Sequence, residues 1–257
     1  MDLRQNLTAL QVIVYKEIRR FMRIWVQTLV PPIITMTLYF LIFGSLIGSR
    51  VGSMGGLDYM LFITPGLVMM AVITNAYANV ASSFFGAKFQ KSIEEMLVSP
   101  MPPWVIIIGF ALGGVARGLM VGALVLAVSM VFTDVQITHL SVVILVFIGT
   151  ALLFSLGGLI NAIFSTKFDD ISIVPTFILT PLTYLGGVFY SLDMLPPFWQ
   201  AVSLCNPVVY IISAFRYGML GQADVPLWIS LLMIIGFIIG FFCLSLWCMS
   251  KGKGMRY

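Results

Sequence analysis

Charged residues are scarce in this sequence of 257 residues, of which 9% are charged and 60% are hydrophobic. The mean hydropathy is +1.05. A soluble domain of this composition would present a mostly apolar surface to water, so a soluble globular protein is excluded. The composition suits a bilayer, where a spanning helix needs about 20 mainly apolar residues. Six such helices would occupy roughly half of the sequence and leave no stretch for a separate soluble domain.

Residues with catalytic or metal-binding chemistry are also few. His139 is the single histidine and lies in a predicted loop, and three cysteines are too few and too scattered for a disulfide framework. Neither a G-x-S-x-G nucleophile elbow nor a G-x-x-x-x-G-K-[ST] phosphate-binding loop occurs. We therefore expect no enzymatic activity and no metal or cofactor bound by this chain. If ATP drives its activity, a separate polypeptide must hydrolyse the ATP.

Acidic residues are missing from the centres of the apolar runs. The ten Asp and Glu residues all fall in predicted loops, chain ends or helix boundaries, so we expect no buried acid. Proton- or sodium-coupled carriers commonly need an ionisable or carbonyl-rich site at mid-membrane. The expected lack of buried acids disfavours ion coupling, although carbonyl sites, which leave no charge signature, keep that alternative open.

Six apolar runs predict an all-α integral membrane protein. We place the spans near 25–48, 59–83, 104–132, 140–165, 171–190 and 227–249. Pro31 and Pro32 lie near the start of the first run, where the helix either begins or is kinked. Pro175 and Pro181 lie inside the fifth run, which should therefore be bent.

Residues 1–24 are predicted to form a helix in the membrane interface and not a span. Apolar residues recur there at helical spacing, and bases that occupy the other faces would meet anionic headgroups. A simple juxtamembrane tail is the alternative. The apolar positions are Leu3, Leu7, Leu10, Val14, Ile18 and Phe21, and the bases are Arg4, Lys16, Arg19, Arg20 and Arg23.

The distribution of Lys and Arg predicts the orientation. With the N-terminus inside, 11 of the 14 lie on the inner side, as the positive-inside rule requires. Both termini are therefore expected in the cytoplasm, with Arg50 and Arg216 on the outer side and Arg117 within a span. The inner bases are Arg4, Lys16, Arg19, Arg20, Arg23, Lys88, Lys91, Lys167, Lys251, Lys253 and Arg256.

The segment 191–226 would lie on the outer side, yet it is apolar and aromatic. Two short helices that re-enter the membrane, near 196–204 and 207–220, would explain this composition. Their backbone must be buried against protein to be tolerated at that depth.

Arg117 lies in the third span beside Gly114, Gly118 and Gly122, which recur every four residues and would let a neighbouring helix approach closely. An arginine that faced lipid there would cost at least about 3 kcal/mol. It should therefore face protein, a water-filled cavity or an anionic group. Hydrogen bonding to a neighbouring helix and a role in transport both remain open.

Asn75 and Asn79 lie one turn apart in the second span, with Ser82 and Ser83 one turn further on. Together they form a polar stripe on the inner half of that helix. Interhelical hydrogen bonding and the lining of a transport cavity both fit the pattern.

The segment 85–99 predicts a short amphipathic helix on the inner face, between the second and third spans. Apolar residues at helical spacing alternate with charged ones, and Pro100, Pro102 and Pro103 end the helix before the next span. Such a helix either rests on lipid headgroups or docks into a groove of a partner protein.

Several segments resemble the ABC-2 type permease family. Residues 88–100 (KFQKSIEEMLVSP) resemble its coupling helix, and 206–210 (NPVVY) with 215–218 (FRYG) resemble its signature before the last span. The resemblance extends along essentially the whole chain. Residues 168–172 (FDDIS) and 181–190 (PLTYLGGVFY) are most similar to the YadH-type permeases of that family.

The resemblance implies the fold of the type V exporters, which has six spans, an interfacial N-terminal helix and re-entrant helices at 196–220. Such permeases act as homodimers bound to two copies of a separate ABC ATPase, which carries ATP and Mg. Segment 85–99 would be the coupling helix, with Phe89, Ile93 and Leu97 in an ATPase groove and Glu94 and Glu95 at its rim.

The resemblance also implies a substrate path, because the second and fifth spans line the path in related transporters. The path candidates in this chain are Asn75, Asn79, Thr180, Thr183 and Tyr184, together with Arg117 from the analysis above. The residues that carry the family signature are Asn206, Pro207, Tyr210 and Arg216.

The sequence therefore predicts the permease subunit of an ATP-driven exporter in the bacterial inner membrane, which moves its substrate outward by alternating access. Apolar, aromatic-rich spans favour a lipophilic or amphipathic substrate over a large polar glycan. A secondary carrier or channel would instead depend on an ion gradient without an ATPase partner. An intramembrane enzyme would need a set of catalytic polar residues that is not evident, and no nucleic-acid partner is expected.

Overall fold

The computed structural model describes residues 2–135 and 137–252, and the protein is helical through most of this part of the chain. In chain order the helices are α1 (Leu3–Arg23), α2 (Trp25–Tyr39), α3 (Gly48–Val51), α4 (Tyr59–Phe89), α5 (Ser92–Val98), α6 (Pro103–Phe132), α7 (Leu140–Phe164), α8 (Phe168–Val174), α9 (Thr180–Tyr184), α10 (Pro197–Leu204), α11 (Pro207–Leu220) and α12 (Leu227–Ser250). Strands β1 (Ser53–Met54) and β2 (Leu57–Asp58) form an antiparallel hairpin. The π-helical turns Phe40–Ile47 and Pro175–Leu179 follow α2 and α8, and the 3₁₀ turn Leu192–Met194 precedes α10.

Five of the described helices are long and apolar enough to cross a membrane. They are α2 with its extension to Gly44, α4, α6, α7 and α12, which coincide with five of the six predicted spans. This confirms the prediction of an all-α membrane protein with several spans. Helix α2 begins at Trp25 and continues through Pro31 and Pro32, so the first span starts before the two prolines.

The predicted fifth span is broken into three helical pieces. Helix α8 has 7 residues, the π-helical turn has 5 and α9 has 5. Pro175 begins the π-helical turn and Pro181 lies in the first turn of α9, and neither has an amide hydrogen to donate to a regular helix. The three pieces provide about 25 Å of helix at 1.5 Å per residue. Because a hydrocarbon core is about 30 Å thick, the crossing of the bilayer by this segment stays a prediction.

Helices α10 and α11 occupy the segment predicted to re-enter the membrane. The pair is apolar enough for a span but turns by 89° between the two helices. Their entry into the membrane stays a prediction, as does the orientation of the chain. Lys253 and Arg256, which that orientation counts, lie outside the described residues.

Helix α1 packs along the N-terminal half of α6. Its buried positions Ile13, Glu17 and Phe21 are spaced by one turn each and form one face. A Cβ on Gly109 or Gly113 of α6 would collide with Ile13 or Glu17, so these glycines allow the close contact. The helix predicted over 1–24 is therefore present and has a protein-facing side, while its position in the membrane interface stays a prediction.

Helix α4 is the centre of the fold and is buried along almost its whole length. Its sequence has no single apolar face, which is typical of a helix that neighbours surround on most sides. Gly118 of α6 faces Ala76 of α4, where a Cβ would lie 2.9 Å from the Ala76 Cβ. Gly158 of α7 lies against the carbonyl oxygen of Tyr77, with no room for a side chain. Helices α6 and α7 therefore pack closely against α4 from two sides, because glycines of both helices face it.

Replacement of Gly158 by alanine should lower the free energy of unfolding by about 2 kcal/mol, because the new methyl group would displace the α7 backbone from α4. The matched control is Gly236→Ala in α12, where a Cβ would have no neighbour within 4 Å. The control should leave stability unchanged or raise it slightly, since alanine favours helix. Thermal unfolding of the purified variants in detergent measures both. Equal stability of the two variants would contradict the proposed contact.

Candidate functional site

Helix α5 is a short amphipathic helix between the ends of α4 and α6. Lys91 precedes it with φ of +60°, a left-handed conformation that ends α4 and redirects the chain. Pro102 caps the N-terminus of α6 after a short extended segment. The helix predicted over 85–99 is thus formed in two parts, the last turn of α4 and α5 itself.

The two faces of α5 differ in exposure. Ile93 is 1% exposed and lies in a cluster of buried apolar side chains from α4, α6 and α7. Leu97 is half-buried against the same cluster. Glu94 and Glu95 are exposed, and Val98 is 87% exposed. The expectation that Ile93 enters a groove of a partner is therefore wrong for this structure, because Ile93 anchors α5 to its own chain.

Phe89, at the end of α4, connects this region to the start of α8. Its ring lies 6.4 Å from that of Phe85 and 5.1 Å from that of Phe168, and the latter pair is edge-to-face. Phe85 also contacts Phe168 at 4.9 Å. Phe89 nevertheless keeps 60% of its surface exposed, so it remains available to a partner.

Lys88 connects the same end of α4 to the end of α7. Its ammonium group donates hydrogen bonds of 2.8 Å to the carbonyl oxygens of Ile163 and Ser165. These carbonyls end α7, where the last turn of a helix has no amide partners of its own and carries partial negative charge. Lys88 therefore joins the C-terminal ends of α4 and α7.

Asp170 holds the start of α8. Its carboxylate accepts hydrogen bonds from the amides of Thr166 and Lys167, at 2.8 and 2.9 Å, and from the Thr166 hydroxyl. These bonds, the Thr166 amide first, lower the pKa of Asp170 because they stabilise its charged form. The hydrogen bonds of Asp170 thus order the segment between α7 and α8 locally.

The path candidates in α4 and α6 lie inside the bundle. Asn75 and Asn79 are buried, and their side-chain oxygens accept hydrogen bonds from Arg117 at 3.2 Å and from Arg20 at 2.8 Å. The exposed face of α4 is instead formed by Thr74, Ala78 and Ser82. The hydroxyls of Thr74 and Ser82 donate to carbonyl oxygens of their own helix, to Met70 at 2.9 Å and to Ala78 at 2.7 Å.

The exposed face of α4 is opposite the face that packs on α6. Gly118 of α6 contacts Ala76, and Ala78 lies two residues further on, about 200° around the helix.

The first span is joined to the end of α9 by four aromatic residues, Tyr39, Phe43, Tyr184 and Phe189. The two tyrosine hydroxyls are 2.9 Å apart, and the Phe43 and Phe189 rings are stacked at 4.5 Å. We call these four residues the aromatic cluster.

The remaining path candidates lie in and beside α9. Thr180 is exposed, and its hydroxyl donates to the carbonyl oxygen of Pro175 at 2.9 Å. Thr183 is buried and bonds to the carbonyl oxygen of Thr180 at 2.8 Å. Tyr184 is half-exposed within the aromatic cluster. Thr180 and Tyr184 thus face outward from the chain, and Thr183 does not.

Comparison with known proteins agrees with this architecture. Residues 8–220 match the profile of the ABC-2 type transporter family. The inner membrane transport permease YadH of Escherichia coli K12 is 62% identical over 248 residues, which cover 96% of this chain and 97% of that protein. The YadH protein of Shigella flexneri has the same identity and coverage. Nodulation protein J of Rhizobium leguminosarum bv. viciae is 25% identical and covers 74% of this chain and 75% of that protein.

The chain belongs to the ABC-2 type transporter family. It is the transport permease of an ABC transporter and not itself an enzyme, and it acts with a separate ATPase. It is a multi-pass protein of the inner membrane.

The family-signature residues of this ABC-2 permease are structural. Asn206 accepts a hydrogen bond of 2.9 Å from the Val208 amide and so caps α11, and Pro207 occupies the first helical position. The Asn206 amide also donates to the Leu182 carbonyl at 2.6 Å, which joins α11 to α9. The Tyr210 hydroxyl donates to the Leu204 carbonyl at 2.7 Å and closes the 89° turn.

Arg216 joins several segments at the end of the permease opposite α5. It is fully buried, forms an ion pair with Asp224, and donates a hydrogen bond of 2.7 Å to the Gly187 carbonyl. Its guanidinium also lies 4.0 Å from the centroid of the Phe62 ring. The Arg216 side chain thus connects α11 to three other parts of the chain, which are α4, the segment after α9 and the loop that precedes α12.

Sequence reasoning missed Glu17, Arg20 and Lys88 as site residues. The expectation of no buried acid is wrong, because Glu17 is 1% exposed and accepts a hydrogen bond of 2.6 Å from Ser83. Its only sequence signal is its position three residues before Arg20, the spacing of a helical ion pair. Burial at a helix contact depends on glycines of α6, which lie far away in sequence.

Replacement of Lys88 by methionine should lower the free energy of unfolding by about 2 kcal/mol, because two charge-assisted hydrogen bonds to the end of α7 are lost. The matched control is Lys91→Met, since Lys91 is exposed and three residues away. Thermal unfolding of both variants checks the difference. A destabilised Lys91→Met beside a stable Lys88→Met would show that the connection between α4 and α7 does not matter.

Proposed function

We propose that this permease forms a homodimer, binds two copies of a separate ABC ATPase through α5, and exports a lipophilic or amphipathic substrate by alternating access. ATP and Mg would bind to the ATPase subunits. Membership of the ABC-2 family supports the ATPase partnership. The homodimer, the outward direction and the substrate class go beyond that membership.

The exposed side of α5 is the observation that carries the proposal. Glu94, Glu95 and Val98 project from a helix whose other side is fixed to the core by Ile93. A charged surface with an apolar centre, on a helix anchored to the spans, is suited to docking in a groove of a soluble partner. We refer to these three residues, with Phe89, as the coupling surface.

Movement of the coupling surface would reach three spanning segments at once. Helix α5 continues from α4, Lys88 ties α4 to α7, and Phe89 contacts Phe168 at the start of α8. When ATP closes the ATPase dimer, α5 would move with it, and these contacts would tilt α4, α7 and α8 together. Such coupling requires two arrangements of the permease that the ATPase binds differently.

The substrate path would follow the exposed face of α4. This face has small and weakly polar side chains, Thr74, Ala78 and Ser82, and Thr180 and Tyr184 are exposed on the fifth segment. A second copy of the chain would face this surface across the dimer axis and enclose a path. The hydrogen bond between Tyr39 and Tyr184 crosses from the first span to the fifth segment. Such mostly apolar walls favour an amphiphile over a large polar glycan.

The orientation supports the assignment of the coupling surface to the cytoplasm. In the described chain, Lys88, Lys91 and Lys167 cluster near α5, and the bases of α1 lie at the same end as α5 because α1 packs on the start of α6. The positive-inside rule places this end in the cytoplasm, where ATP is available, and both termini with it.

Replacement of Val98 by aspartate should reduce co-purification with the cognate ATPase at least tenfold, because the apolar centre of the coupling surface would acquire a buried charge. The matched control is Val51→Asp at the opposite end of the first span, where Val51 is exposed. Affinity purification of the tagged permease with its ATPase measures the loss. Ile93→Asp is unsuitable because it would bury a charge in the permease core.

Both variants should retain the elution volume of the unmodified permease in size-exclusion chromatography. Full ATPase recovery with Val98→Asp would contradict the assignment of α5 as the docking helix. Loss of ATPase with Val51→Asp as well would show that the effect is not specific to α5.

A further inference from the structure

Two arginines meet in a crevice between α1, α4 and α6. Arg20 of α1 donates hydrogen bonds of 3.1 and 2.8 Å to the backbone and side-chain oxygens of Asn79. Arg117 of α6 donates a hydrogen bond of 3.2 Å to the side-chain oxygen of Asn75. Asn75 and Asn79 are one helical turn apart, so the two guanidinium groups bind adjacent positions of the same helix face, about 6 Å apart along its axis.

The charges of this crevice do not balance. Glu17 lies 3.3 Å from Arg20 and forms an ion pair with it. Arg117 has no ion pair with any carboxylate of the described chain, although it lies in the middle of the apolar helix α6. Arg20, Arg117 and Glu17 together leave a net charge of +1, and Lys16, which lines the same cleft as Arg20, adds a further positive charge. A charge of this kind inside a membrane segment is costly without an anionic partner.

Two hydrogen-bond donors of the crevice also lack acceptors. The Nε atom of Arg117 and the Nδ2 atom of Asn79 are buried, and neither has a hydrogen-bond partner in the described part of the chain. The Oε1 atom of Glu17 is a buried acceptor that also lacks a partner there. The Nδ2 atom of Asn75, in contrast, donates to the Ala71 carbonyl at 3.0 Å. Buried donors normally find an acceptor. An anion with at least two oxygens would supply the missing acceptors and the missing charge together.

The crevice opens at the inner end of the permease. Arg20 retains 28% of its side-chain surface. With Lys16, Glu17, Ser82 and Ser83 it lines an open cleft of about 150 Å³, and Asn79 and the Nε atom of Arg117 are buried beyond this lining. The cleft adjoins the exposed face of α4 through Ser82, which is on that face. A headgroup in the cleft could therefore reach Arg20 while its hydrocarbon chain lay along α4.

We propose that Arg20, Arg117 and Asn79 bind the anionic headgroup, a phosphate or a carboxylate, of an amphiphile that the permease transports. The inference rests on the proposed function and narrows its substrate class to anionic amphiphiles. The excess positive charge complements an anionic headgroup, and a phosphate monoester carries a charge of about −1.5 to −2 at pH 7. Glu17 competes with the ligand for Arg20, which keeps the site from holding the anion too tightly to release it.

Equilibrium binding of radiolabelled dodecyl phosphate to the full-length permease in phosphatidylcholine nanodiscs tests the site, with empty nanodiscs as the blank. Arg117→Gln and Arg20→Gln should each weaken binding at least tenfold. The matched control is Arg4→Gln, which removes the same charge from an exposed position of α1. This control should change the affinity less than twofold. Glu17→Gln, which keeps an oxygen for Ser83, should tighten binding several-fold.

Two competition measurements test which chemical features of the ligand the site requires. Dodecylphosphocholine, which has no net charge, should compete at least tenfold more weakly than dodecyl phosphate. Inorganic phosphate should not compete at millimolar concentration, because it lacks the chain that lies on α4. Arg117→Lys, which keeps the charge, should retain part of the affinity and shows that a loss in Arg117→Gln is not a folding defect.

Three results would overturn the inference. Unchanged binding to Arg117→Gln would show that Arg117 only joins α6 to α4. An equal loss in Arg4→Gln would show general attraction to a basic surface, and effective competition by inorganic phosphate would show a site for soluble anions. None of these results affects co-purification with the ATPase, so failure of the anion site is distinguishable from failure of the proposed function.

Discussion

The close packing of α6 and α7 against α4 is the contact on which the rest of the permease depends. Gly118 and Gly158 allow two helices to approach α4 more closely than any larger residue would. In a bilayer, helix association depends on such packing, because lipid is as apolar as the side chains it replaces. Interfaces of this kind have few alternative arrangements. Helices α4, α6 and α7 are therefore expected to move as one body.

Because this central body is rigid, the contacts that join α5 and the ends of α7 and α8 to α4 can transmit a movement of α5 to the spans. Lys88 and Phe89 belong to α4 but bind the ends of α7 and α8. Helix α5 is fixed to the same body through Ile93. A force on the exposed side of α5 would thus be transmitted to the spans without loss in a flexible linker. The end of the permease opposite α5 is stabilised differently, by the single buried side chain of Arg216.

Much of this architecture was predictable from the apolar runs, because helical period and span length are local properties of a sequence. Helix α1 and the starts of five spans were placed within a few residues, whereas the helix predicted over 85–99 is divided between the end of α4 and α5. The side of α5 that faces the core was not, since Ile93 and Val98 are equally apolar and only tertiary packing distinguishes them. The burial of Glu17 was missed for the same reason, because glycines of α6 make room for it.

The central claim is that the ATPase drives the permease by moving α5 with the rigid body attached to it. Electron-spin distance measurement on the complete transporter tests this most directly, with labels at Gln90 of both permease copies, which is exposed next to α5 and lies outside the coupling surface. The distance between the two labels should change when ATP is trapped, while that between labels at Ser82 in α4 and Phe164 in α7 of one copy should not. A constant distance between the two α5 helices in the presence of ATP would contradict the account.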